Sequence, residues 1–274
     1  MTSLLFFTCA DAGYEDFAPL YIASALWSVG DARAEVGLVS ADAFAAANPE
    51  AIRVLTAHFG DRFLIRDVPW QRDGKKVLPH TVRFLNEPLT HADNVYIGDI
   101  DIIYLDRNFP AQHLAFMETM NVPYANSRRT GTGRMTGLHF TKWEAMYPLP
   151  DLSDLDLLRE NDENVLGMIC DRKGLPQHDK MWRPVPGIHV SPNREPISVA
   201  DAEGKRKPDW GIRNWVKAYG EFRASDLMKA LYPALKGKAK SAIDAIDDAL
   251  AQQAAAAQAA APRPEPVAGT TAAT

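Results

Sequence analysis

Residues 3–10 (SLLFFTCA) form a continuous apolar run of strand length, followed by a polar, turn-rich stretch (ADAGYEDF) and then by apolar residues from Pro19 to Val29. This order predicts a strand, a loop and a helix. The helix carries Leu20, Ile22, Leu26, Trp27 and Val29 on nearly every side, as one buried against a sheet would, and Gly30-Asp31 ends it before a second strand at Glu35 to Ser40. Asn48-Pro49 supplies an N-cap and a first-turn proline for a helix reaching Phe59; Gly60 stops it, and Arg62 to Val68 reads as a third strand. A short helical segment within 79–91, broken by Pro88, precedes the strongest strand signal, 95–105 (VYIGDIDIIYL). Beyond it the pattern predicts a helix near 110–120, a strand near 122–127, the loop SRRTGTGRMTG, a strand GLHFTK, a helix around 153–171 and a strand ending in PGIHVS.

Such alternation predicts an α/β protein with a mostly parallel central sheet and helices on both faces, because parallel strands need crossover connections. Sites on such sheets lie at the carboxyl ends of the strands. The expected organisation is a core domain over 1–200, a basic, aromatic helical appendage over 201–250 and a disordered tail over 251–274, where Ala, Gln, Pro, Gly and Thr dominate.

Composition adds boundaries. Across 274 residues, 46% are apolar and 24% charged, the balance of a folded chain with an ample core. A net charge of −5 argues against a nucleic-acid binder working through an overall positive field. Between Lys205 and Lys240, however, ten basic residues face three acidic ones, and Trp210, Trp215, Tyr219, Phe222, Leu227, Leu231 and Tyr232 are interleaved with them. That segment suits amphipathic helices, either packed on the core with a solvated basic face or resting on an anionic membrane. Two cysteines, Cys9 and Cys170, suggest no disulfide framework, and Leu4 to Ala10 is too short to span a bilayer, so the expected location is cytoplasmic, with peripheral membrane contact through 205–240.

The chemistry concentrates at Gly98-Asp99-Ile100-Asp101. Burying an unpaired carboxylate is costly, so two acids inside an apolar strand need a cation or water. At positions i and i+2 they face the same way, with Ile100 and Ile102 directed into the core, and together they suit a divalent ion whose shell is completed by water and phosphate oxygens. His189, at the end of the last strand, would favour Mn²⁺ over Mg²⁺ as a third ligand; alone it reads as a structural histidine. Arg194, five residues later, is placed to clamp a phosphate.

These residues, taken in order, resemble a known family. The loop Ala10-Asp11-Ala12-Gly13-Tyr14, an arginine in Val82-Arg83-Phe84-Leu85, the D-x-D strand, the pair Asp162-Glu163 and a late histidine together resemble a retaining glycosyltransferase of family 8 type, with the GT-A fold, over roughly residues 3–196. The resemblance implies that Asp99, Asp101 and His189 hold Mn²⁺, with Mg²⁺ as a substitute, against the diphosphate of a UDP-sugar. It implies that Ala10, Asp11 and Tyr14 cradle the nucleoside, that Arg83 approaches the donor, and that Asp162 and Glu163 stand near the reacting sugar. The acceptor implied is a glycan or lipid-linked sugar. The chain departs from the family pattern at Met135-Thr136-Gly137-Leu138, which lacks the usual asparagine, and after His189, where the usual Lys-Pro-Trp is absent; Arg128, Arg129 and Arg134 are alternative cations. A non-catalytic nucleotide-sugar-binding protein of the same fold is the competing expectation. A nucleotidyltransferase is disfavoured because residues 8–16 carry no Lys or Arg.

Overall fold

The computed structural model describes residues 2–72, 74–129, 131–157, 159–178, 182, 184–191 and 211–260. Strands β1 (Leu4–Ala10), β2 (Arg33–Leu38) and β3 (Phe63–Asp67) alternate with helices α1 (Ala18–Ser28), α2 (Ala41–Ala47) and α3 (Pro49–Phe59). A hairpin of β4 (Gln71–Arg72) and β5 (Lys75–Lys76) follows, and then the short helix α4 (Val82–Leu85). Next come β6 (Asn94–Ile97), β7 (Ile102–Tyr104), α5 (Phe109–Met120), β8 (Tyr124–Ala125), β9 (His139–Lys142), α6 (Trp143–Met146), α7 (Asp162–Arg172) and β10 (Gly187–His189). Helices α8 (Val216–Ala224), α9 (Asp226–Leu231) and α10 (Gly237–Ala260) close the described chain.

The central sheet has six strands in the order β3-β2-β1-β6-β9-β8, and β1 pairs in parallel with both β2 and β6. The expected α/β class, mostly parallel sheet and two helical layers are all present; β9 runs antiparallel to β6 and β8. The apolar run of β1 is continuous because both sheet faces are covered. Leu4 and Phe6 join α1, α3, α5 and the C-terminal helices on one side, while Leu5, Phe7 and Cys9 join α4 and α7 on the other. Each such buried Leu or Phe contributes roughly 1.5–3 kcal/mol relative to exposure.

Three expectations change. The strand foreseen over 95–105 is two strands, β6 and β7, separated by a turn at residues 98–101. Two carboxylates cannot sit unpaired inside a fully covered ladder, so the chain leaves the sheet at Gly98, whose carbonyl accepts from Thr8 Oγ1 at 2.8 Å, and β7 pairs with β10 instead. The helix foreseen at 153–171 begins only at Asp162, where Asn161 Oδ1 accepts from Asn164 N at 2.9 Å and caps it. The helix α10 stays regular through Ala260, inside the stretch expected to be a disordered tail. The expected end of the core near residue 200, Lys205 to Trp210 and residues 261–274 lie outside the described residues.

The described aromatic residues of the basic segment face the protein. Tyr219, Phe222, Leu227 and Leu231 are buried in the same core as α1, and Trp215 and Tyr232 pack against it. Many of the cations are engaged as well: Arg223 with Asp247, Lys229 with Asp226 and Lys240 with Asp244. No helix among the described residues is long and apolar enough to cross a membrane.

His113 stacks on Phe140 with ring centroids 4.8 Å apart, and neither of its ring nitrogens has a hydrogen-bond partner among the described residues. Burial pushes both His113 and His139 down to about 3, so each stays neutral in the fold and takes up a proton on unfolding below its ordinary value of 6.5. The unfolded chain therefore binds more protons in that window, and stability must fall as pH drops from 6.5 toward 3. Between pH 7.5 and 5.5 the two histidines should remove on the order of 2–3 kcal/mol, measurable from urea midpoints. His113→Phe should lose about half of this pH dependence; an unchanged profile would show that His113 titrates normally in the fold.

Candidate metal centre and ligand cleft

Parallel pairing of β1 with β6 brings Ala10 and the D-x-D turn to the same rim of the sheet. The third partner arrives from β10, in register with β7: His189 lies opposite Ile102, and Val190 N donates to Asp101 O at 2.8 Å. The approach is close because residue 187 is glycine; a Cβ there would stand 1.9 Å from Ile103 O. Ile100 and Ile102 are buried in the core as expected, and Asp99 and Asp101 line the cleft.

Asp99, Asp101 and His189 form one cluster, their ligating atoms all within 4.8 Å of one another. His189 Nε2 is 3.0 Å from Asp101 Oδ1 and 3.9 Å from Asp99 Oδ2. Adjacent ligands of an octahedral ion with bonds of about 2.1 Å stand roughly 3 Å apart, so this donor set suits a hard divalent ion, and the imidazole inclines it toward Mn²⁺. Burial favours the neutral form of Asp101, but the hydrogen bond and charge of His189, a backbone donor and Ser191 outweigh it and hold the carboxyl below the usual aspartate range.

Arg83 balances the other side of the cluster. Its guanidinium is 6% exposed, and Nη2 lies 2.8 Å from Asp99 Oδ1 and 2.8 Å from Asp162 Oδ2. Glu87, four residues on, does not pair with it and accepts from Leu149 N at 2.7 Å. Burial opposes the charge on Arg83, and Asp99, Asp162 and Asp101 more than offset this, holding its pKa above the ordinary arginine value. Arg83 meets Oδ1 of Asp99, while Oδ2 lies 3.9 Å from His189 Nε2.

These side chains line a cleft of about 390 Å³ whose walls include Ala10, Asp11, Tyr14, Arg83, Asp99, Asp101 and His189. The Asp11 carboxylate accepts from Gly13 N at 2.9 Å, and its carbonyl accepts from the Tyr14 and Glu15 amides, folding the loop so that Tyr14 reaches the cleft. Cys9 also touches the cleft, but burial pushes its thiol up to about 12, which leaves it an unreactive packing group.

The two acids at the start of α7 part company. Asp162 is joined to the cleft through Arg83, and its Oδ1 lies 4.0 Å from His80 Nε2. Glu163 points to the arginine loop, where Arg129 and Arg134 hold its two oxygens at 2.8 and 2.7 Å, so it does not reach the cleft. Arg128 is paired with Asp171 through both terminal nitrogens. Arg194 lies outside the described residues. His80 is a cleft residue that the sequence reading missed; its only signal was a proline-started turn, Pro79–Thr81, one residue before the arginine helix.

No protein-family model matches the chain, and no curated protein matches it. Among solved structures it is similar to the galactosyltransferase LgtC in complex with donor and acceptor sugar analogues, at 16% identity over 60% of this chain and 70% of that one, with a TM-score of 0.41. It is also similar to the mannosyltransferase PcManGT from Pyrobaculum calidifontis in complex with GDP-Man and Mn²⁺, at 16% identity over 94% of this chain and 80% of that one, with a TM-score of 0.44. The glycosyltransferase GlyE of Streptococcus pneumoniae is 15% identical over 63% of this chain and 44% of its own, with a TM-score of 0.41. What the cleft can do follows from its own side chains.

Asp101→Asn, which removes charge but little volume, should weaken Mn²⁺ binding by at least about tenfold, since even outer partners of metal ligands are worth that much. The electron paramagnetic resonance signal of free Mn²⁺ measures it, and equal binding by parent and variant would exclude the cluster as a metal centre.

Proposed function

We propose that the protein is a metal-dependent glycosyltransferase of GT-A type that moves a sugar from a nucleotide sugar, a UDP-sugar by the resemblance of its motifs, to a glycan or lipid-linked acceptor with retention at the anomeric carbon. The observation that carries this reading is the single cleft in which Asp99, Asp101 and His189 stand beside the Asp11–Tyr14 loop and the buried Arg83. A bound Mn²⁺ would supply positive charge where the departing diphosphate becomes more negative.

The chain's own residues then divide the work. Asp99 and Asp101 hold the cation, and His189 completes the protein ligands. Asp11 and Tyr14 take the nucleoside, by hydrogen bonding and by packing respectively. Arg83 orients Asp99 and Asp162, which both meet its Nη2. Asp162 is the acid left to meet the sugar, since Glu163 is held by two arginines. The arginine loop lies against the start of α7, and an anionic acceptor would have to compete with Glu163 for Arg129 and Arg134. A cytoplasmic location belongs to the same reading, and the anionic-membrane contact through 205–240 loses support because its apolar residues are spent on the core.

A non-catalytic nucleotide-sugar-binding protein is the second reading, favoured by the ion pairs that already engage both Asp162 and Glu163. A panel of nucleotide sugars, assayed for release of nucleoside diphosphate with Mn²⁺ and with EDTA, separates the two. The expected outcome is metal-dependent release from at least one donor, lowered on the order of 100-fold in kcat by Asp162→Asn with a smaller change in KM. Calorimetric binding of nucleoside diphosphate without release or transfer from any donor would favour the binding protein.

A further inference from the structure

The C-terminal helix reaches the ligand loop. At the start of α10, Lys238 Nζ donates to Gly13 O at 2.6 Å and lies 4.6 Å from the centroid of the Tyr14 ring, although 225 residues separate Lys238 from Gly13. The Lys238 amide donates to Asp16 Oδ2 at 3.3 Å. Close approach depends on Gly237, which has φ +46° and sits so near Asp16 that a Cβ would fall 1.9 Å from that carboxylate oxygen. Lys236 Nζ anchors the same corner to Ala47 O. One side of the Asp11–Tyr14 loop is thereby fixed to a helix that begins more than two hundred residues later.

The other side of the loop is tied to the metal cluster. The Tyr14 side chain and the Asp101 carboxylate each share a hydrogen bond with the Ser191 side chain. Tyr14 therefore stands between a cation on α10 and the acids of the cleft, and its position depends on both attachments. The hydrogen bond and the ring contact from Lys238 converge on two adjacent residues, an arrangement that a solvated surface lysine does not produce.

We propose that Lys238 is a positioning residue for the ligand loop: by holding Gly13 and the Tyr14 ring it sets the affinity of the cleft, making the C-terminal helix a working part of the site. The identity of the ligand as a nucleoside diphosphate rests on the function proposed above. The attachment of loop to helix does not.

Two readouts on the full chain separate these claims. The first is calorimetric binding of UDP in the presence of Mn²⁺ by the parent, Lys238→Met and Lys238→Arg. The second is amide hydrogen exchange over residues 11–17 without ligand. Lys238→Met should weaken UDP binding about five- to tenfold and speed exchange over 11–17 while leaving exchange in β1 and β6 unchanged. Lys238→Arg, which keeps the charge over the ring, should restore affinity to within about twofold. A parent that binds no UDP defeats the nucleotide reading, and the exchange data alone then decide the role of Lys238. Unchanged exchange in Lys238→Met, or unchanged affinity in a parent that does bind UDP, overturns the proposal.

Discussion

Charge balance at the edge of an apolar sheet is the constraint on which the rest of the molecule depends. Asp99 and Asp101 follow the buried strand β6 and Gly98, where an unpaired carboxylate is costly. The fold meets this with partners from two directions: Arg83 on the side of α4 and His189 on the side of β10. The two partners differ in kind. Arg83 is permanently charged and serves two acids, whereas an imidazole can give up its proton and become a ligand. Both partners line the cleft, and of the two only the imidazole is a metal-ligand type.

The position of that cleft follows from sheet topology. Strands β1 and β6 run in the same direction as neighbours, so their carboxyl ends share a rim. One end supplies Asp11 and Tyr14, the other Asp99 and Asp101. Helices α8 to α10 add to the layer that holds α1 and place a lysine on the loop after β1. The segment with the most basic composition in the chain thus serves the interior of the fold with its aromatic residues and the rim with its cations.

Much of this was legible in the residues. The apolar runs located β1, β2, β3 and β6, and the oddity of two acids beside isoleucines marked the cluster before any geometry was known. Proximity through β10 was less legible: nothing local in Pro186-Gly187-Ile188-His189 says that it pairs with β7, and only the ordered resemblance pointed His189 toward the two aspartates. The break at Gly98 was missed because strand propensity on both sides is high, and tertiary electrostatics overrides it. Asp162 and Glu163 looked equivalent as neighbours. Consecutive residues at a helix start project about 100° apart, and here one meets Arg83 while the other meets Arg129 and Arg134. The tie between Lys238 and Tyr14 had no sequence signal at all, since its partners lie at opposite ends of the chain.

The missing side chain at Gly187 carries a wider meaning. Strand β10 can lie against β7 only because nothing projects from that residue toward Ile103, and the imidazole two residues later inherits its distance from the aspartates. An ancestor with alanine at this place would have kept every donor atom of the cluster and still been unable to close it. The unit that closes the cluster is thus a glycine and a histidine two positions apart, acting as a hinge pin and its latch.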